Sequence, residues 1–153
     1  MLFFPKMSLV LALLTIIGGL SKIYKRMVPI SLGLELKTFF TILIAFYVGP
    51  WAAISCAAIM VIISAVAAGR FCHWILIKIG MYTIVCALVF TLSGFGIGVA
   101  GRAGVLVLNA GYIFFNAMLK DFKIFSDLPG NIINVLFNFF LISTLASPAA
   151  VLF

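Results

Sequence analysis

The sequence predicts an all-α membrane protein, a compact bundle of six transmembrane helices forming one domain over residues 1–153. Three observations predict it. First, the chain is 66% hydrophobic and only 8% charged, where a soluble domain carries roughly 25% charged residues. A water-soluble fold of this length cannot hide that much apolar surface, whereas a bilayer places lipid against it. Second, apolar runs recur along the chain between clusters of charge, glycine and proline. Third, the formal net charge of +7 suits a membrane surface, which attracts Lys and Arg. The cations are too scattered, and the chain too apolar, for a nucleic-acid-binding surface.

The first helix is expected at about residues 8–20, closed by Lys22, Lys25 and Arg26. Lys6 before an apolar run imitates a signal peptide, but no small-x-small cleavage site follows, so the segment reads as membrane helix. A loop with Pro29, Gly33, Glu35 and Lys37 leads to a short second helix at about 38–48. Gly49-Pro50 breaks it, because proline lacks the amide donor and restrains its predecessor. The third helix is expected at about 50–68, with Pro50 in a favourable first-turn position and Gly69 as its stop. Arg70, His73, Trp74 and Lys78 suit the headgroup interface. The fourth helix is expected at about 79–99, loosened at its end by Gly94, Gly96 and Gly98. Gly101-Arg102-Ala103-Gly104 reads as a tight turn, followed by a fifth helix at about 105–119. Lys120, Asp121, Lys123 and Asp127 mark the next loop. The sixth helix is expected at about 129–146, from Pro129 to just before Pro148. If residues 38–69 form one broken element, the count falls to five.

No cofactor or metal is indicated. Cys56, Cys72 and Cys86 are spaced like no metal motif and are odd in number, and His73 is the only histidine. Catalysis needs converging groups with tuned acidity. The chain offers no Ser-His-Asp set, no paired carboxylates and no phosphate-cradling loop, so it does not read as an enzyme. Gly94-x-Gly96-x-Gly98 follows no strand and is no dinucleotide fingerprint. The expected spans contain no Asp or Glu, which argues against proton-coupled transport by this chain alone.

Three stripes stand out from lipid-facing sequence. Ser8, Ala12, Thr15 and Gly19 share one face of the first helix within roughly 60°. Small side chains there permit close helix approach, either within the chain or onto a partner subunit. Asn109, Tyr112, Asn116 and Lys120 share a face of the fifth helix within roughly 80°, and Asn131, Asn134 and Asn138 a face of the sixth within roughly 60°. A carboxamide facing hydrocarbon leaves donors and acceptors unpaired, at a cost of a few kcal/mol. Both faces must therefore turn inward, lining a binding site for a neutral polar ligand or joining the two helices directly. Glu35 sits beside Lys37 before the second helix, where a carboxylate favours the positive helix end.

The order of these features resembles the substrate-binding S-component of energy-coupling factor vitamin transporters. The likeness rests on the small-residue face of the first helix and on the long loop 21–37. It also rests on "FFTILIAFYVGPWAA" with its Gly49-Pro50 break, and on the C-terminal "DLPGNIINVLFNFFLISTLASPAAVLF". It covers nearly the whole chain as a pattern. The resemblance implies a multi-pass protein of the cell membrane that binds a small vitamin-like molecule and hydrolyses nothing. Its partners would be a transmembrane coupling subunit, docked on Ser8, Ala12, Thr15 and Gly19, and two ATPase subunits that drive uptake. Its ligand would be held by Asn109, Tyr112, Asn116, Asn131, Asn134 and Asn138, with Glu35 and Lys37 supplied by the loop.

Charge placement points the other way from that family's topology. With six helices, the side bearing both termini holds Lys6 and Arg102. The other holds Lys22, Lys25, Arg26, Lys37, Arg70, Lys78, Lys120 and Lys123. The excess of cations marks the second side as cytoplasmic, whereas the family keeps its termini there. The rival expectation is a non-catalytic accessory subunit of a larger membrane complex, in which the stripes are protein–protein contacts.

Overall fold

A computed structural model of the chain describes residues 3–21, 23, 35–69, 74–119 and 124–153. Its elements are α1 (Phe3–Leu20), α2 (Leu36–Tyr47), α3 (Pro50–Ala67), α4 (Trp74–Thr91), α5 (Ile97–Leu119) and α6 (Ile124–Leu145). Single 3-10 turns follow α4 at Ser93–Phe95 and α6 at Pro148–Leu152.

The six-span expectation is corrected here. Among the described residues, four helical segments are long and apolar enough to cross a membrane: Pro50–Ala67, Trp74–Thr91, Ile97–Leu119 and Leu128–Leu145. Lys6–Leu20 of α1 and the whole of α2 are apolar but shorter. A 12-residue helix such as α2 rises only about 18 Å, against a hydrocarbon core about 30 Å thick. The chain is a multi-pass all-α membrane protein. Its outer surface carries large apolar side chains such as Leu76, Phe114, Leu136 and Phe140, which suit acyl chains.

The short helix occupies the middle. It packs against α1, α3, α4, α5 and α6, and eight of its twelve residues are buried, Ile42, Leu43, Ile44 and Ala45 among them. A helix apolar on every side can be covered on every side. Two residues, Val48 and Gly49, join it to α3. The Gly49 φ of 128° is a conformation that side chains with a Cβ resist, and Pro50 then opens α3. Tyr47 donates its hydroxyl to the Ala146 carbonyl at 3.0 Å, so α2 and α6 end at the same level.

Several boundaries move. The fourth helix ends at Thr91, not near residue 99, and the chain turns through Gly96 at φ 86°. The expected turn Gly101–Gly104 lies inside α5, which starts at Ile97. The physical reason is packing. A Cβ on Gly104 would stand 2.9 Å from Val89 Cγ2 and 3.2 Å from Val85 Cγ1, so this glycine lets α4 and α5 approach closely. The sixth helix begins at Ile124, with Pro129 inside it. Pro129 is the sixth residue of α6, beyond the first four amides that have no acceptor within a helix, so one helix hydrogen bond is forgone there.

Candidate functional site: a polar layer around the start of α2

The start of α2 is sunk into the bundle. Thr38, its third residue, shares a 3.2 Å hydrogen bond between hydroxyls with Tyr82, the ninth residue of α4. Tyr82 lies about 12 Å along α4 from Trp74. The start of α4 therefore extends roughly two turns past Thr38. Around this recessed end the bundle gathers polar side chains instead of apolar ones.

The first group is charged. Lys37 is buried, with Nζ 3.7 Å from Glu35 Oε2 and 3.4 Å from Ser64 Oγ on α3. Glu35 is the residue immediately before α2, where the helix dipole favours a carboxylate. An ammonium and a carboxylate taken this far from water tolerate it only as a hydrogen-bonded pair.

The second group is a chain of hydroxyls. Tyr82 bonds Thr38 on one side and Tyr112 of α5 on the other. The Glu35 carboxylate is close enough to act electrostatically on both tyrosines. That places the charged pair and the hydroxyl chain in one neighbourhood.

The third group is the asparagine set. Asn109 donates Nδ2 to Asn134 Oδ1 at 3.3 Å, linking α5 to α6. Asn138 donates Nδ2 to the same oxygen at 3.1 Å. Each of these two amides also donates to the carbonyl four residues back, Asn109 to Val105 and Asn138 to Asn134, both at 2.9 Å. All three side chains are buried. Asn138 Oδ1 and Thr41 Oγ1 are buried without a hydrogen-bond partner. A Cβ on Gly101 would meet both Ile42 and Ile142, so those two residues share a level. One turn back on each helix stand Thr38 and Asn138, which puts the amides beside the start of α2.

The sequence-expected residues thus divide. Asn109, Asn134 and Asn138 meet, as the two stripes require. Tyr112, Glu35 and Lys37 join the same polar layer through Tyr82. Asn116 and Asn131 are half-buried, nearer the α5–α6 junction, and Lys120 lies outside the described residues. On α1, Ser8 and Ala12 are exposed, whereas Thr15 and Gly19 are buried. Thr15 returns its hydroxyl to the Leu11 carbonyl at 2.7 Å, and a Cβ on Gly19 would stand 2.8 Å from Ile63 of α3. Half of the small-residue face is therefore spent on packing within the chain.

Tyr82, Thr38 and Ser64 were missed by sequence reasoning. Tyr82 carried the same signal as the asparagines, a polar group inside an apolar run. Thr38 and Ser64 carried none, since hydroxyls bond their own helix backbone at little cost.

Comparison with protein-family models, with curated proteins and with solved structures finds no match to this chain.

Proposed function

We propose that this chain is the membrane-embedded binding subunit of a transporter, capturing a small, vitamin-like polar molecule for uptake driven by partner ATPases. The sequence pattern supports a subunit of the energy-coupling factor type. The observation that carries the binding role is the buried Glu35–Lys37 pair, set among hydroxyls and amides at the recessed start of α2. Replacing a buried ion pair with apolar side chains often costs nothing or stabilises, so packing alone gives no reason to keep one here. Ligand recognition does. In this reading the chain binds and catalyses nothing, and the exposed Ser8 and Ala12 are the part of α1 left for a coupling subunit.

A second reading, an accessory subunit of a larger complex, is favoured by one observation. The asparagines bond one another across α5 and α6, which is also what helix-to-helix glue does.

Native mass spectrometry of the chain purified gently from its own membranes separates the two. A binding subunit retains a small molecule, and Asn134→Leu loses it while keeping native helical content by circular dichroism. An empty wild-type chain, together with an Asn134→Leu variant that unfolds, would overturn the binding role.

A further inference from the structure

Arg102 of α5 stands on the outer surface of the bundle, where its guanidinium donates to Ser143 Oγ of α6 at 3.0 Å. Among the described residues it has no other partner. The chain's three carboxylates, Glu35, Asp121 and Asp127, stand too far away to answer the charge. Glu35 precedes α2, which puts about 18 Å between it and the level where Tyr47 meets Ala146. Leu119, the last residue of α5, lies about 25 Å along the helix from Arg102, and the two residues on to Asp121 span at most about 7 Å. Asp127, in the opening turns of α6, lies about 24 Å from Ser143.

The hydroxyl beside Arg102 is also unspent. Thr144 returns its proton to the Phe140 carbonyl at 2.8 Å, as hydroxyls on helices commonly do. Ser143 makes no such bond among the described residues; its oxygen accepts from Arg102 and its proton is left over. A guanidinium has five N–H donors and no acceptor. The two side chains, 3.0 Å apart and both exposed, thus offer several donors and one positive charge, a set that an oxyanion with several oxygens answers. The depth is that of the membrane boundary. Ser143 is one turn inward from Ala146, and Trp51, near the start of α3 at the same end, is largely exposed, as Trp at the headgroup level is. About one turn deeper on the two helices, Leu106 and Phe140 are exposed, and Leu136 lies a further turn in. The surface therefore passes from cationic to apolar with depth, matching a phospholipid from head to tail.

We infer that Arg102 and Ser143 hold the phosphodiester of an anionic glycerophospholipid, with an acyl chain lying along Leu106, Phe140 and Leu136. The guanidinium and the serine hydroxyl donate to phosphate oxygens, and the lipid supplies the counter-charge that the chain does not. The site lies on the outer α5–α6 surface, apart from the polar layer around α2, so it holds whether the chain is a binding subunit or an accessory one.

The test titrates the full chain in a neutral detergent with dioleoylphosphatidylglycerol and counts bound lipids by native mass spectrometry. Dioleoylglycerol, which lacks the phosphate, and inorganic phosphate, which lacks the chains, are the controls. The first phosphatidylglycerol should bind at least about tenfold more tightly than dioleoylglycerol, the scale of charge-assisted hydrogen bonds. Arg102→Gln should lose that preference and Ser143→Ala should weaken it about fivefold, both with native helicity. Lys123→Gln, which removes the same charge elsewhere in the chain, should keep it. Equal losses in Arg102→Gln and Lys123→Gln would reduce the effect to net charge and overturn the site. Displacement of the lipid by an equal concentration of inorganic phosphate would overturn the lipid assignment. So would a wild-type chain that binds no phosphatidylglycerol but brings from native membranes a partner protein that Arg102→Gln releases, since the guanidinium would then serve a partner's carboxylate.

Discussion

Asn109 of α5 donates to Asn134 Oδ1 of α6 at 3.3 Å, close to the middle of both helices. The bond joins the two polar stripes and holds the polar layer closed on one side. A double-mutant cycle with Asn109→Leu and Asn134→Leu, read by unfolding in bicelles, should give a coupling of roughly 0.6 to 1.7 kcal/mol, as for other hydrogen bonds between membrane helices. Strict additivity would show that the bond contributes nothing to holding α5 against α6.

Breaking the charged pair from one side should be severe. Lys37→Met leaves the Glu35 carboxylate buried without its ammonium, at a cost of about 3 to 5 kcal/mol. The double variant Glu35→Gln, Lys37→Met should recover most of that loss, since neither charge is then stranded. Thermal unfolding of the three proteins in one detergent checks this. A double variant no more stable than Lys37→Met would contradict the pairing.

Thr41 Oγ1 is buried with no hydrogen-bond partner. Thr41→Val keeps the shape and removes the hydroxyl, so it should raise stability by about 1 to 3 kcal/mol, the cost of an unsatisfied buried group. A lower melting temperature would mean that the hydroxyl is satisfied in the working protein.

The two halves of the α1 face should respond differently. Gly19→Leu forces a side chain into Ile63 and should destabilise the isolated chain by about 1 to 3 kcal/mol or more. Ala12→Phe enlarges an exposed position and should leave the isolated chain's melting unchanged, while breaking assembly if α1 docks a coupling subunit. Co-purification of the partner subunits with each variant, beside the melting curves, tells the two effects apart.

Much of the bundle was legible because apolar length and breaking residues are local signals. The Gly49-Pro50 junction fell where the sequence put it, and the two asparagine faces meet. What was not legible depended on neighbours. Gly101 and Gly104 resemble turn glycines until Ile142, Ile42, Val85 and Val89 are seen against them. Gly96 bends the chain and Gly98 does not, although both sit in one glycine run. The short length of α2 was visible. Its depth was not, because only the Thr38–Tyr82 bond and the burial of Lys37 reveal how far down its start lies.

The two-residue link between α2 and α3 bears on how the protein is made. A twelve-residue segment preceded by Glu35 and opening on Leu36-Lys37 is too brief and too charged at its head to leave the translocon for lipid by itself. With only Val48 and Gly49 between them, α2 cannot wait outside while α3 enters. Biogenesis must deliver the two as one hairpin, with the later helices closing over the ionic head once its counter-charge is already in place.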